Sequence, residues 1–262
     1  MRALYTAATG MMAQQTNVQV ISNNIANMRT TGYKRQRAEF QDLLYEHVRR
    51  VGTQTSDQGN QLPAGIELGS GVKTVGTPRL MTQGTLLQTG KDYDVAIRGE
   101  GFFKILLPDG RTAYTRDGSF ELDSQGRLVT AQGNLVQPSI TIPQNAQSVS
   151  INAQGQVSAM LPGQTTATVL GQIELAMFVN KAGLQGIGDN LYLETPASGT
   201  PQNGQPNVEG FGNLQQGNLE QANVEAVSEI SDLIAAQRAY EMNAKVISAA
   251  DQMLQSTSQL MR

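Results

Sequence analysis

The end of the chain decides the fold, and residues 226–262 read AVSEISDLIAAQRAYEMNAKVISAADQMLQSTSQLMR. One set of positions recurs here at alternating spacings of four and three, a seven-residue repeat sustained over five heptads. No Gly or Pro follows Asn218, so the composition does not interrupt a helix. The repeat predicts one helix of roughly 50 Å that presents a seam to another helix. The seam positions are Ala226, Ile230, Leu233, Gln237, Tyr240, Ala244, Ile247, Asp251, Leu254, Ser258 and Met261.

This seam is weak because polar side chains occupy part of it. Gln237, Asp251 and Ser258 stand where a coiled coil normally has Leu or Ile. Polar seam residues lower stability and can set the register and the choice of partner. We therefore expect the helix to need further protein neighbours before it becomes stable.

The N-terminal residues show the same alternation over four heptads, at Leu4, Ala7, Met11, Gln14, Val18, Ile21, Ile25 and Met28. Residues 3–28 carry no charged side chain, which is typical of a helix packed among other protein helices. The Thr30-Thr31-Gly32 sequence is a predicted helix stop. The simplest geometry places the two terminal helices side by side and antiparallel. In the free monomer we expect the N-terminal segment to be disordered and to order on assembly.

Composition narrows the classes of function. The chain has 262 residues, enough for one or two domains, with 39% hydrophobic residues, 5% aromatic residues and no Trp. A net charge of −3 gives no electrostatic case for binding nucleic acid or an anionic membrane. The absence of Cys excludes disulfides and thiolate chemistry. No apolar run approaches the roughly 20 residues of a membrane span, and we expect no signal peptide.

Residues 70–221 are predicted to form a mainly β domain. The segment 94–107 predicts a pair of strands separated by a turn or bulge at Gly99 and Gly101. The strongest turn signals are Pro108-Asp-Gly110, Asp117-Gly118, Asp123-Ser-Gln-Gly126 and Asn152-Ala-Gln-Gly155. Short strands with regular turns favour a compact all-β domain.

No constellation predicts catalysis, a cofactor or a metal. His47 is the single histidine, so a triad or a His-rich metal site lacks ligands. Asp92 and Asp94 share one face of an extended segment and could be read as a glycosidase pair, but a turn-entry role fits better. Residues 99–104 begin like a dinucleotide loop without the third Gly or a following helix, and we interpret them as a bulge.

Charged residues elsewhere in the chain do not form a strong binding motif. Lys34, Arg35 and Arg37 form a basic cluster in a net acidic chain, which is weak evidence for nucleic-acid binding. Solvated or intersubunit ion pairs are predicted for Arg116 and Asp117, and for Arg238 with Glu241.

Both ends of the chain resemble one known family. Residues 22–34, SNNIANMRTTGYK, resemble the N-terminal signature of the flagellar axial proteins, the rod and hook subunits. Residues 219–229, LEQANVEAVSE, and 237–247, QRAYEMNAKVI, resemble their C-terminal signature. Residues 94–103 and 114–137 are similar to the middle domain of the same proteins.

The resemblance implies a domain organisation. Residues 1–33 and 222–262 would be paired terminal helices in the core of a tube, and residues 70–221 would form an outer β domain. Residues 34–69 would form an irregular extended or β arm, with Val51–Pro63 as its most irregular part. This arm resembles an insertion found in the distal-rod subunits of the family, where it is associated with a straight, stiff tube.

The resemblance also implies a function. It is that of a structural subunit that self-assembles into the distal rod of the bacterial flagellar basal body and transmits torque to the hook. The implied partners are further copies of the chain, proximal rod subunits, hook or hook-junction subunits and the surrounding ring proteins, without nucleic acid or membrane insertion. The implied location is the periplasmic part of the basal body, reached through the flagellar secretion channel without a cleaved signal peptide.

The residues expected to form the assembly interface are Leu4, Met11, Val18, Asn23, Asn24, Ile25, Asn27, Ile230, Leu233, Tyr240, Ile247 and Leu254. The three asparagines are predicted to make hydrogen bonds that hold the helix end. Two alternatives remain open. One is another axial subunit, from the hook or the proximal rod. The other is a secreted enzyme acting on the cell wall, with the terminal helices as a tether.

Overall fold

A computed structural model describes residues 2–49, 64–164, 166–208 and 210–260 of the chain. The chain divides into two compact units that are each built from segments distant in sequence. Among the described residues, the first unit comprises 2–25, 36–49, 64–78 and 225–260, and the second comprises 26–35, 79–164, 166–208 and 210–224. The predicted irregular segment Val51–Pro63 lies outside the described residues.

The two terminal helices are α1 (Arg2–Ala26) and α2 (Ala226–Leu260). With 35 residues, α2 is roughly 52 Å long, as its uninterrupted repeat predicted. The predicted stop of α1 was too late, because the helix ends at Ala26. Beyond it the Asn27 carbonyl accepts a hydrogen bond from the Thr30 N–H at 3.0 Å, which closes a turn. Met28 therefore lies beyond the helical repeat to which it was assigned.

The arm in the first unit is more regular than expected. It contains four antiparallel strands, which together we call the ribbon: β1 (Glu39–Asp42), β2 (Tyr45–Arg49), β3 (Ile66–Gly69) and β4 (Val72–Gly76). Strand β1 pairs with β4, and β2 pairs with β3. The N-terminal part of the ribbon is thus held by backbone hydrogen bonds to its return strand.

The second unit is mainly β, as predicted. Its strands are β5 (Leu86–Gln88), β6 (Val95–Arg98), β7 (Phe102–Leu106), β8 (Thr112–Thr115), β9 (Phe120–Leu122), β10 (Leu128–Thr130), β11 (Leu135–Gln137), β12 (Ser148–Ile151), β13 (Gln156–Met160), β14 (Thr168–Gln172), β15 (Leu175–Met177), β16 (Gln185–Gly188), β17 (Leu191–Leu193), β18 (Gln202–Gly204), β19 (Asn213–Gln216) and β20 (Asn218–Glu220). A short 3-10 turn spans Lys181–Gly183.

Nine of the described strands join one antiparallel sheet around β7. Its main path runs β16-β17-β8-β7-β11-β10-β9, while β15 also pairs with β7, and β18 with β15. Strands β12, β13 and β14 form a second sheet, and β6 pairs with β19 and β5 with β20. The strands that return from the C-terminal side, β19 and β20, thus close the unit against strands that precede β7.

Successive side chains of β7 point to opposite faces of the sheet and pack into two different cores. Phe103 and Ile105 are fully buried in the larger core, which also holds Val95 and Ile97 of β6. Phe102 points to the opposite face, because successive side chains of a strand alternate. There it meets Phe178 edge to face with ring centroids 6.0 Å apart, one of several such aromatic contacts.

Three of the predicted turns are confirmed. The Pro108–Gly110 turn joins β7 to β8, with Leu106 opposite Thr112. The turn at 123–126 joins β9 to β10, and the turn at 152–155 joins β12 to β13. In each case a turn signal lies between two short strands, so the local sequence indicates the hairpin.

Two of the predicted strand pairings are wrong. Strands β6 and β7 do not pair with each other, since β6 pairs with β19 and β7 with β8, β11 and β15. The Asp117-Gly118 sequence does not form a hairpin either. A Cβ at Gly118 would lie 1.7 Å from the Val95 carbonyl oxygen, so the chain needs glycine there to pass close to β6.

The fold-class prediction is confirmed as a mixed α and β chain with an N-terminal helix, a C-terminal helix and a mainly β middle. Coiled-coil packing of the two helices stays a prediction.

Candidate assembly surfaces

The two helices of the first unit lie side by side and antiparallel. Near the end of α1, the Asn24 side chain donates a hydrogen bond from Nδ2 to Glu229 Oε2 at 3.1 Å, near the start of α2. Further along, a Cβ built on Gly10 would lie 3.0 Å from Asn243 Nδ2. Residue numbers fall along α1 as they rise along α2, so the helices run in opposite directions. A side chain at position 10 would push Asn243 away.

The enclosed side of α2 differs from the predicted repeat at alternate positions. Its buried or half-buried residues include Ala226, Glu229, Leu233, Ala236, Asn243, Ile247 and Ala250. Glu229 is only 1% exposed, whereas its neighbour Ile230, a predicted seam residue, is 49% exposed. The two sets of positions share Ala226, Leu233 and Ile247, and they differ by one residue at the positions in between. In the observed register, small Ala side chains and the hydrogen-bonded Glu229 lie on the enclosed side of α2.

The predicted interface residues divide into two groups by exposure. Half-buried in the single chain are Leu4, Met11, Val18, Ile25, Leu233 and Ile247. The exposed group consists of Ile230 (49% exposed), Tyr240 (43%) and Leu254 (49%). The second group is accessible to a neighbouring chain. The assembly interface itself stays a prediction.

Asn24 holds the segment that follows α1. Its side chain is fully buried, Nδ2 donates to the Gln36 carbonyl at 2.9 Å, and Oδ1 accepts from the Gln36 N–H at 3.0 Å. The amide thus completes both hydrogen-bonding groups of one backbone residue, which a buried backbone requires. Asn27 Oδ1 accepts a hydrogen bond from the Thr30 hydroxyl at 3.2 Å, and Asn23 is exposed.

A second apolar side of α2 faces away from the enclosed one. We call it the outer face, and it consists of Val227, Ile230, Ile234, Met242, Val246 and Met253, which are between 45% and 73% exposed. The intervals between them are close to whole helical turns, so they share one broad side of the helix. Contiguous exposed apolar residues of this kind mark protein interaction sites. Of these six residues, the sequence repeat included only Ile230.

The ribbon lies along α1. Thr9 Oγ1 accepts a hydrogen bond from the Val72 N–H at 3.3 Å, and Arg2 forms an ion pair with Glu46. On its other side the ribbon leaves large apolar residues in solvent, among them Leu44 at 88% exposure and Val48 at 58%. The ribbon is therefore attached to α1 on one side and available for contacts on the other.

The second unit contains a buried charge cluster that the sequence did not predict. It consists of Lys34, Arg116 and Glu220, whose side chains are 1%, 5% and 0% exposed. Lys34 Nζ donates to Glu220 Oε1 at 2.6 Å, and Arg116 Nε donates to Glu220 Oε2 at 2.9 Å. Lys34 of the basic cluster is therefore buried against a carboxylate, and the expectation that Arg116 belongs to a solvated or intersubunit ion pair was wrong. No local pattern relates three residues so far apart in the chain.

Backbone groups complete the charge cluster. The Thr82 carbonyl accepts from Lys34 Nζ at 2.9 Å, and the carbonyls of Gly99 and Gly101 accept from Arg116 Nη1 at 2.8 and 2.7 Å. Two cations and one carboxylate leave a net positive charge in the interior. Burial lowers the pKa of Lys34 below its usual 10.5, although the Glu220 carboxylate opposes this effect.

Asn223 ties the start of the unit to its end. Its Oδ1 accepts from the Arg35 N–H at 2.7 Å, while Nδ2 donates to the Leu80 carbonyl at 2.8 Å and to Thr82 Oγ1 at 2.8 Å. Together with the charge cluster, this side chain joins segments from the beginning, the middle and the end of the sequence.

Two of the candidates for chemistry, Asp94 and residues 99–101, have structural roles. Asp94 is buried, and its Oδ2 accepts a hydrogen bond from the Thr89 hydroxyl at 2.5 Å, in keeping with a turn-entry role. Residues 99–101 lead into the strand β7 rather than into a helix. Within the described ranges, no group of three His, Cys, Asp or Glu side chains is arranged to hold a metal ion. No helix in those ranges has the length and hydrophobicity that a membrane span requires.

Family models match three parts of the chain. Residues 4–34 match the model described as flagella basal body rod protein, residues 96–159 match the flagellar hook protein FlgE/F/G D1 domain, and residues 215–260 match the flagellar basal body rod FlgEFG protein C-terminal model. The matches cover α1, part of the second unit, and α2. They define the chain as an axial protein of the flagellum, with helical segments at both ends and a β domain between them.

Full-length relatives narrow this class. A flagellar basal-body rod protein FlgG of Caulobacter vibrioides is 58% identical over 260 residues, which cover 99% of each chain. FlgG proteins of Agrobacterium fabrum and Bacillus subtilis are 50% and 39% identical, over 97% and 100% of each chain. The chain belongs to the flagellar basal-body rod protein family. It is a structural subunit of the distal rod of the flagellar basal body, and not an enzyme.

Proposed function

We propose that copies of this chain assemble into a helical tube whose core consists of α1 and α2 from many subunits. Residues 1–33 and 222–262 would line the tube, the arm 34–69 would brace it, and residues 70–221 would lie outside. The tube would act as a drive shaft that transmits torque from the motor to the hook. Coiled-coil packing of the helices would then be completed by neighbouring copies.

The observation that carries this proposal is the outer face of α2. One side of α2 is enclosed within the first unit, and the opposite side still exposes Ile230, Ile234 and Met242. A helix with apolar residues on two sides needs protein on both to remove them from water. A neighbouring subunit of the same kind supplies such a partner at every position along a tube.

The same proposal extends to partners and location. The ends of the tube would contact proximal rod subunits on one side and hook or hook-junction subunits on the other, and ring proteins would surround it. The subunit would reach the periplasmic space through the flagellar secretion channel without a cleaved signal peptide. These assignments follow from the family resemblance of the two termini.

Electron microscopy of basal bodies from cells that lack the chain tests the proposal. We expect a short rod without a hook, and restoration of full length when the wild-type gene is supplied. A basal body without any rod would instead indicate a proximal position, and a complete rod without a hook would indicate a hook subunit. A complete rod and hook would contradict every axial role.

Leu233→Asp provides a matched test of the helix core. Its side chain is half-buried on the enclosed side of α2, within the first unit. We expect this variant to be exported and folded in its β unit but absent from rods. Normal swimming of the variant would contradict the proposed role of α2.

A further inference from the structure

We propose that the outer face of α2 on one copy of this chain seats in a groove between α1 and the ribbon on the next copy. The proposal rests on assembly of the chain into a tube and names the two surfaces that meet. Both surfaces belong to the first unit, and they lie on different elements of it.

The groove runs along the side of α1 that α2 does not cover. Tyr5, Met12 and Thr16 line it from α1, and Leu43, Val72 and Lys73 line it from the ribbon. Its volume is about 610 Å³. Tyr5 and Met12 are 61% and 68% exposed, so its rim is apolar and open to solvent. We call this feature the α1 groove.

A helix is the occupant that fits this shape. The α1 groove follows α1 from Tyr5 to Gln19, which is roughly 21 Å along the helix axis. Helices enter such grooves with apolar anchors at positions i, i+3 or i+4, and i+7. The outer face begins with Val227, Ile230 and Ile234, which have this spacing.

A second copy is favoured over an unrelated partner because the chain carries both halves of the contact. A groove on α1 and a stripe on α2 are different surfaces, so their contact is heterologous. A heterologous contact leaves a free α1 groove at one end of every complex and a free outer face at the other. It therefore propagates into a ring or an open helical assembly, and the second outcome is that of a rod.

Charge supports the same pairing. Lys73 lies on the wall of the α1 groove and forms no ion pair with any other described residue. Glu241 follows Ile234 by seven residues, two helical turns along the same side of α2, and is likewise outside any ion pair among the described residues. Seating the outer face in the groove brings a cation and a carboxylate of two copies to one interface, which favours correct register.

Cysteine cross-linking tests the contact, because the chain contains no native cysteine. Cells would carry a Met12→Cys, Ile234→Cys variant as their only copy, and isolated basal bodies would be treated with a short bis-maleimide. A second variant with Met12→Cys and Ile230→Cys samples the adjacent turn. We expect a ladder of dimers, trimers and larger species from at least one of the two.

The controls separate this contact from chance. Each single cysteine variant should give no cross-linked species, because a heterologous contact joins two different positions and the chain has no native cysteine. Met12→Cys with Val179→Cys, which places the second cysteine at an 84% exposed site in the second unit, should give no ladder. Loss of the ladder in Lys73→Glu and its return in Lys73→Glu, Glu241→Lys would confirm the charge pairing.

Rods that contain the doubly substituted chain but yield no ladder at either position would overturn the contact and leave the rod function standing. Basal bodies from wild-type cells that contain none of the chain would overturn both. Dimers formed equally by the single Met12→Cys variant would show that two grooves face each other, and would overturn the heterologous geometry.

Discussion

Glu220→Gln keeps the size of the side chain at the centre of the buried charge cluster and removes its carboxylate. Lys34 and Arg116 would then remain as two cations with side chains 1% and 5% exposed. At an effective dielectric constant of about 20, each attraction across 2.6 and 2.9 Å is about 6 kcal/mol. Deprotonation of the lysine and relaxation recover part of this loss.

The expected result is a decrease of about 3–5 kcal/mol in the free energy of unfolding of the second unit, the usual cost of leaving a buried charge without its partner. For a unit of this size, the decrease corresponds to a melting temperature lower by roughly 6–20 °C. The assay is urea and thermal denaturation of the full purified chain. Near-UV circular dichroism follows the second unit, because Tyr114 and Tyr192 are packed there.

Two variants calibrate this experiment. Glu174→Gln removes a carboxylate that pairs with Lys104 at 2.6 Å but is 44% exposed, so it should cost at most about 1 kcal/mol. Lys34→Met leaves Arg116 and Glu220 as a neutral pair and should cost less than Glu220→Gln. A Glu220→Gln chain as stable as the Glu174→Gln chain would refute the reasoning that the cluster is held by its single carboxylate.

Three further outcomes are expected. Gly10→Val should push α1 and α2 apart and abolish swimming in soft agar. Adding Asn243→Ala to the Gly10→Val chain should partly restore swimming, because it removes the side chain that the valine meets. Normal swimming of the Gly10→Val variant would contradict the close approach of the two helices at this position. Burial lowers the pKa of Lys34 in the folded chain below 10.5, its value in the unfolded chain. At a pH between these two pKa values, Lys34 carries a proton in the unfolded chain but not in the folded one. Stability of the second unit should therefore rise with pH through that window, and urea midpoints should rise less in Lys34→Met; parallel pH profiles would contradict this sign. Trypsin should cut the exposed Arg238 and Lys245 of the monomer first and spare both in assembled rods, as judged by mass spectrometry; their protection in the monomer would contradict ordering on assembly.

The terminal helices and three hairpins could be predicted because their signals are local. The seven-residue repeat and the absence of Gly and Pro specify α2, and the turn at Pro108–Gly110 specifies the β7–β8 hairpin. The side of α2 that becomes enclosed could not be specified in the same way. A repeat of three and four residues has two registers that share Leu233 and Ile247, and the choice between Glu229 and Ile230 depends on the neighbouring elements.

Long-range pairings explain the other differences. Strand β6 contains the apolar run that suggests a partner in β7, yet it pairs with β19, more than a hundred residues later. Glu220 lies 186 residues from Lys34 and 104 from Arg116. Periodicity and turn chemistry describe neighbours in sequence, so they carry no information about such contacts.

Glu220 also sets the moment at which the second unit can close. A ribosome that adds about 5–20 residues per second needs roughly 10–40 s to extend the chain from Lys34 to Glu220, which lie 186 residues apart. Until Glu220 has been made, Lys34 and Arg116 lack their carboxylate partner, and early burial of either cation is unfavourable. The chain is thereby kept open until nearly all of it exists, which suits a subunit proposed to pass through a narrow channel before it folds.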